Sequence, residues 1–215
     1  MQRDLILLLL KETGNTFYMV GFSFLFSCLI GGFIGMGLFC NIPKFFHTTV
    51  SIALSFLTAI PFAILIVILF PVTRWIIGTS LGTTASIVPL TIGAIPFVVT
   101  LVSNALRNSA LIYLEPATAL GIPRIKIIKD ILLPESYPDL IFSLKSLIIH
   151  LISCSTLAGF VGGGGLGQVL LQYGYYRFQL SVTMSVLVIT LACIEIVRNL
   201  GNFYGRRILK YRGIL

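Results

Sequence analysis

Apolar residues run for about twenty positions at a time along this chain, the length that crosses a bilayer's hydrocarbon core. The runs fall at 17–40, 50–70, 85–106, 140–161 and 178–200, with polar residues gathered between them. This pattern predicts an all-α integral membrane protein of five transmembrane helices. No repeat or linker divides the chain, so 1–215 reads as a single transmembrane domain. Ahead of the first run, Lys11 and Glu12 interrupt a short apolar stretch and no cleavage site follows. That stretch predicts a short interfacial helix leading into the first span, not a signal peptide.

Each run carries its own marks. Gly31 and Gly35 form a GxxxG pair, the spacing that lets two membrane helices approach closely. Pro61 stands in the middle of the second run, and Pro71 begins a loop to position 84 with Trp75 placed as an interfacial anchor. The third run holds Pro89, Gly93 and Pro96 beside Thr91, Thr100, Ser103 and Asn104. A span so interrupted and so polar suits the protein interior, beside a pathway or a subunit interface.

Composition agrees: 57% of the 215 residues are hydrophobic and 10% charged, against about a quarter charged in soluble domains. The net charge of +8 does not mark a nucleic-acid binder, because the basic residues lie between and after the apolar runs. With the C-terminal tail inside, Lys44, Arg107, Arg124, Lys126, Lys129, Lys145, Arg198, Arg206, Arg207, Lys210 and Arg212 fall on the cytoplasmic side, eleven against four for Arg3, Lys11, Arg74 and Arg177. The positive-inside rule then places the N-terminus outside and the polar segment 107–139 in the cytoplasm.

Catalytic and metal templates are absent. The chain has no HExxH, GxSxG or GxxxxGK[ST], and its histidines, His47 and His150, lie far apart. The sequence therefore offers no catalytic residue, no metal site and no phosphate loop of its own. Cys28, Cys40, Cys154 and Cys193 read as small apolar side chains in helices. Gly162, Gly164 and Gly167 match GxGxxG, but a membrane span precedes them where a dinucleotide fold needs a strand. The glycine run reads as a flexible loop at the outer surface, or as a re-entrant gating loop at the mouth of a pathway. Lys145 and Glu195 lie near span ends, where long side chains reach the interface. His150 lies deeper and reads as a packing residue, with a proton relay as the alternative.

The segment 107–139 is the longest polar interruption. Glu115-Pro116 has the form of a helix start, with an acid at the positive end of the dipole and proline at the first position. Gly121 and Pro123 form a stop. A second short helix is predicted from Arg124 to Leu132, with Ile125, Ile127, Ile128, Ile131 and Leu132 on an apolar arc and Leu133-Pro134 ending it. Such a knob suits either a protein partner or a lipid surface.

The spacing of Glu115, Ala117, Gly121, Ile131, Leu133 and Pro134 resembles the EAA loop of permease subunits in bacterial ATP-binding-cassette importers, at every fixed position but one. Pro116 stands where that pattern has an alanine. The stretches 60–98 and 162–175 look like the short five-span permeases that import methionine. The resemblance implies the membrane-spanning subunit of an ATP-driven importer in the bacterial inner membrane, moving D- or L-methionine by alternating access. Its implied partners are a second copy of the chain, two cytoplasmic ATPase subunits that bind ATP and magnesium, a periplasmic or lipid-anchored substrate-binding protein and membrane lipid. It also implies an ATPase-docking surface of Glu115, Pro116, Ala117 and Gly121, held against the spans by Ile131, Leu133 and Pro134. Leu157 and Gly159 are candidates for a gate, and Ser103 and Asn104 for the pathway. A permease for another amino acid or small nutrient, a channel or carrier outside this class, and a scaffold subunit are the alternatives.

Overall fold

The computed structural model describes residues 2–39 and 44–211; Cys40, Pro43 and Arg212 lie outside the described residues. Among the described residues all regular structure is helical. Among the described residues four helices are long and apolar enough to cross a membrane, and a bent pair makes a fifth crossing if it counts as one span.

Helix α1 runs unbroken from Gln2 to Phe39. The expected interfacial helix and first span are thus one rod. The polar step at Lys11-Glu12 contains no proline, and Glu12 is bonded along the helix: Asn15 Nδ2 donates to Glu12 Oε2 at 3.0 Å.

The second run is not one straight span. Helices α2 (Lys44–Ala59) and α3 (Phe62–Ile68) meet at a 107° bend. Proline drives the preceding residue out of the helical region, and Pro61 at φ −55° and ψ 133° starts α3 afresh, its carbonyl accepting from Ile64 and Leu65. The expected loop after Pro71 is largely helix, α4 (Phe70–Ile77), because proline is tolerated in a first turn. Gly78, at φ 87°, ends it. Trp75, 87% exposed, projects off the protein as an interfacial anchor does.

Helix α5 (Thr83–Ala119) takes the centre of the bundle: 56% of its apolar stretch is buried, against 11% for the last helix. The interior position expected for this polar span is found, but the expected breaks are not, since Pro89, Pro96 and Pro116 all lie inside one helix. Each proline removes a single backbone bond, and Pro89 and Pro96 are buried among the neighbouring helices. Gly31 and Gly35 of α1 set its distance. A methyl added at Gly31 would sit 2.7 Å from Val98 Cβ, and one at Gly35 would sit 3.0 Å from Val102 Cβ. The GxxxG pair is a packing face.

The chain then turns through α6 (Arg124–Lys126) and a π-helical turn into α7 (Leu133–Phe160), which packs on α5 and α1 around Met19, Leu90, Val98, Leu147 and Leu151. A short α8 (Gly165–Val169) and a second π-helical turn lead to α9 (Leu180–Tyr211). A second GxxxG, Gly201 and Gly205, seats α9 on the Lys145 stem and the Phe142 ring of α7. The Lys145 ammonium donates to Asn202 Oδ1 at 2.7 Å, so this cation is held by a neighbouring helix.

Overpacking a tight contact costs about 1–3 kcal/mol. Gly31→Ile is expected to lower the unfolding free energy of the purified protein by that amount, read from denaturant unfolding. Gly32→Ile, where nothing lies within 4 Å of the added carbon, is expected to leave it unchanged.

Candidate functional site

Three features stand out: a helical hairpin at one end of the bundle, a polar groove between α2 and α5, and the packed glycine run at the opposite end. The hairpin joins the end of α5 to the start of α7. Glu115 and Pro116 lie exposed near the end of α5, not at the start of a new helix. The reason is local: positions 105–114 carry no glycine or proline, so α5 propagates past Glu115. Thr118 Oγ1 donates to the Glu115 carbonyl at 2.9 Å.

The helix ends at Gly121, whose φ of 71° only glycine adopts without strain. The Gly121 amide bonds to the Thr118 carbonyl at 3.0 Å and the Ile122 amide to the Ala117 carbonyl at 3.2 Å, the paired closure of a Schellman cap. Pro123 follows. Ala117 does not belong to a surface: it is 4% exposed and packs with Leu106, Ile127 and Leu132.

The second limb also departs from expectation. Leu133-Pro134 does not end a helix, because the π-helical turn Ile127–Leu132 passes directly into α7. The Leu133 amide bonds to the carbonyl of Ile128, five residues back. That wider turn gives Pro134, which lacks an N–H, room beside the preceding carbonyls. Ile131 and Leu133 pack on the hairpin core as expected, whereas Pro134 is exposed. Ile125 is 77% exposed instead of buried; two residues before buried Ile127, it points to the opposite side of a helix. Polar contacts sew the limbs together. Ser136 Oγ lies 3.0 Å from Ser109 Oγ and donates to the Ala105 carbonyl, and Asn108 Nδ2 donates to Asp139 Oδ2 at 3.4 Å. The result is a rigid knob whose tip presents Gly121 between the exposed side chains of Leu120 and Ile125.

Ser103 and Asn104 open on a groove of about 500 Å³ between α5 and α2. Thr100 extends the α5 face, Ser51, Ser55 and Thr58 line the α2 face, and Arg107 and His47 stand towards the hairpin. The hydroxyls of Ser55 and Thr58 donate to carbonyls of their own helix, leaving oxygen lone pairs towards the groove. The α2 face was missed in the sequence, though its spacing of four and three residues marks one side of a helix.

Leu157 and Gly159 are not part of this groove. Leu157 is 41% exposed near the far end of α7, and a methyl on Gly159 would sit 2.5 Å from the Gln168 amide nitrogen. The glycine run is therefore no flexible loop. Added carbons would meet Ser86 Oγ at Gly163, Thr83 Cγ2 at Gly164 and the Thr156 carbonyl at Gly167. His150, expected to pack in the interior, is exposed on α7; it stacks on Phe97 at 5.2 Å and lies 3.6 Å from Cys154 Sγ.

Residues 17–209 match the family of binding-protein-dependent transport system inner membrane components. The chain belongs to this family. It is 36% identical over 209 residues to a protein of Vibrio cholerae named a probable D-methionine transport system permease, covering 94% of this chain and 92% of the relative. It is 34% identical over 159 residues to a methionine import system permease of Bacillus subtilis, covering 74% and 72%. A chain of a solved structure, the MetNI methionine transporter in inward-facing conformations, superposes with a TM-score of 0.92 at 34% identity, covering 97% of this chain and 99% of that one. This member of the family is thus a multi-pass membrane protein of importer-permease architecture.

The hairpin cap yields a direct expectation. Gly121→Ala forces a side chain into the left-handed region, at a cost of about 1–2 kcal/mol. Trypsin cleavage at exposed Lys126 in the detergent-purified protein should accelerate, and Gly121→Asn should accelerate it less, because asparagine tolerates that conformation better.

Proposed function

We propose that this chain is the membrane-spanning permease subunit of an ATP-driven importer that carries methionine across the inner membrane by alternating access. The likeness to a methionine transporter permease over 97% of the chain, at a TM-score of 0.92, carries the reading. The active unit is a homodimer with two ATPase subunits, which hold ATP and magnesium, and a substrate-binding protein outside. This subunit is not itself a catalyst.

In this reading the bent pair counts as the second of five spans, the N-terminus is outside and the hairpin is cytoplasmic. The eleven-to-four distribution of lysine and arginine supports that orientation. The docking surface is Glu115, Pro116 and Gly121, joined by exposed Leu120 and Ile125, with Ala117, Ile131, Leu133 and Pro134 shaping the hairpin beneath it. Both limbs are continuous with spans, so closure of the ATPase pair moves α5 and α7 directly. The groove at Ser103 and Asn104 lies in the half of α5 nearer the hairpin, which suits an inward-open path. Its mixture of hydroxyl, amide and apolar lining suits a small zwitterion with an apolar side chain.

Proteoliposomes containing this chain and its ATPase should accumulate radiolabelled methionine only when ATP is supplied on the ATPase side. ATP-dependent uptake of a different amino acid, with methionine neither carried nor competing, would replace the substrate. Uptake without ATP would replace the class. Within the working system, Asn104→Leu is expected to lower methionine uptake about tenfold, the effect of leaving a substrate polar group unpaired, with ATPase association unchanged. Gly121→Trp is expected to insert normally while ATP hydrolysis no longer drives uptake.

A further inference from the structure

The last long helix gathers its charge on one side. After Glu195 the chain has five cations and no acid, and α9 is the least buried of the four long helices, with 11% of its apolar stretch covered. Arg206, Arg207 and Lys210 line an open hollow of about 880 Å³ along its final turns, together with Asn199, Asn202 and Phe203. These positions recur at three and four residues and so share one side of the helix. No acidic residue is among the described lining.

Cations that only obey the positive-inside rule, or only complement a helix C-terminus, require no particular polar company. Here the company is set by bonds made outside the hollow. The Lys145 ammonium donates to Asn202 Oδ1 at 2.7 Å, which orients that amide so that its NH2 group is the end left for the hollow. Asn199 Nδ2 donates to Glu195 Oε1 at 3.3 Å, which leaves Asn199 Oδ1 as an acceptor. The Glu195 carboxylate is itself paired with Arg198 at 2.9 Å, so it does not cancel the cations below it.

The ligand chemistry follows from this lining. A phosphodiester anion suits Arg206, Lys210 and the Asn202 NH2, because guanidinium, ammonium and amide N–H groups all donate to phosphate oxygens. A hydroxyl beyond the phosphate suits Asn199 Oδ1. Acyl chains have a path too: Val188, Leu191 and Ile196 are exposed along α9 ahead of the hollow, and Phe203 continues that apolar surface to its edge. The rival occupant, the ATPase, has its surface at the hairpin between α5 and α7.

We propose that this end of α9 binds an anionic phospholipid with a hydroxyl-bearing headgroup, held through its phosphate by Arg206, Lys210 and Asn202. The choice of leaflet alone rests on the orientation read above, which puts the site on the cytoplasmic side, where anionic lipid attracts basic residues next to a span.

The test reads the lipid beside the site, and neither transport nor orientation enters it. Trp75, the only tryptophan, is changed to phenylalanine, and Ile196→Trp places a reporter on the exposed apolar surface. The permease with its ATPase bound is placed in nanodiscs of phosphatidylcholine and phosphatidylglycerol, one or the other brominated on its acyl chains. Quenching of the reporter gives the relative affinity of the two lipids. Phosphatidylglycerol is expected to be preferred about 25-fold, about fivefold for each of two cations near the surface. Arg206→Gln and Lys210→Gln should each lower the preference about fivefold. Asn202→Leu should also lower it about fivefold, the factor for one lost hydrogen bond, although the net charge is unchanged. Equal quenching by both lipids overturns the proposal. So does a preference that falls with the two cations but not with Asn202→Leu, which reports diffuse attraction of charge. Lost ATPase association in the Arg206→Gln variant, with no lipid preference in the parent chain, assigns the face to the ATPase and overturns the site as well. If Ile196→Trp does not assemble, Phe203→Trp carries the same measurement.

Discussion

Close approach of helix backbones at glycine governs this structure. Lipid gives no hydrophobic drive for one apolar helix to choose another, so the choice falls to van der Waals fit and polar contact. Gly31 and Gly35 admit Val98 and Val102, Gly159 and Gly167 interlock the end of α7 with α8, and Gly201 and Gly205 seat α9 on Lys145 and Phe142. These contacts decide which face of α5 is buried. They leave its remaining face, with Thr100, Ser103 and Asn104, to line the groove beside α2.

The same economy governs the polar groups. Ser109, Ser136, Asn108 and Asp139 pair across the hairpin, and Lys145 reaches Asn202. A buried polar group left unpaired is costly, so the Ser109–Ser136 pair and the Lys145–Asn202 bond help fix the register of neighbouring helices. The hairpin is thus formed by the joined ends of α5 and α7, linked through α6 and the π-helical turn.

Much of this was legible in the sequence. The apolar runs located four of the crossings, the GxxxG at Gly31 located the α1–α5 contact, and the spacing from Glu115 to Pro134 located the hairpin. Proline was not legible locally. Pro61 breaks its span and bends it by 107°, whereas Pro89, Pro96 and Pro116 sit within one helix. For Pro89 and Pro96 the difference lies in packing: they are buried in the enclosed part of α5, while α2 is largely exposed; Pro116 is itself exposed near the helix end. Glu12 was not legible either, because its partner at Gly165 is 153 positions away. Reading Glu115-Pro116 as a helix start applied a sound local rule where a long helix already in progress overrode it.

The central claim is that both glycine-marked interruptions, 121–134 and 162–167, are rigid continuations of the spans instead of loops. Amide hydrogen exchange of the protein in nanodiscs, read by mass spectrometry, tests this most directly. Peptides covering Ile122–Leu133 and Gly162–Gly167 are expected to exchange slowly, within about tenfold of α5 and α7. Exchange of either stretch at the rate of an unstructured segment would contradict the account.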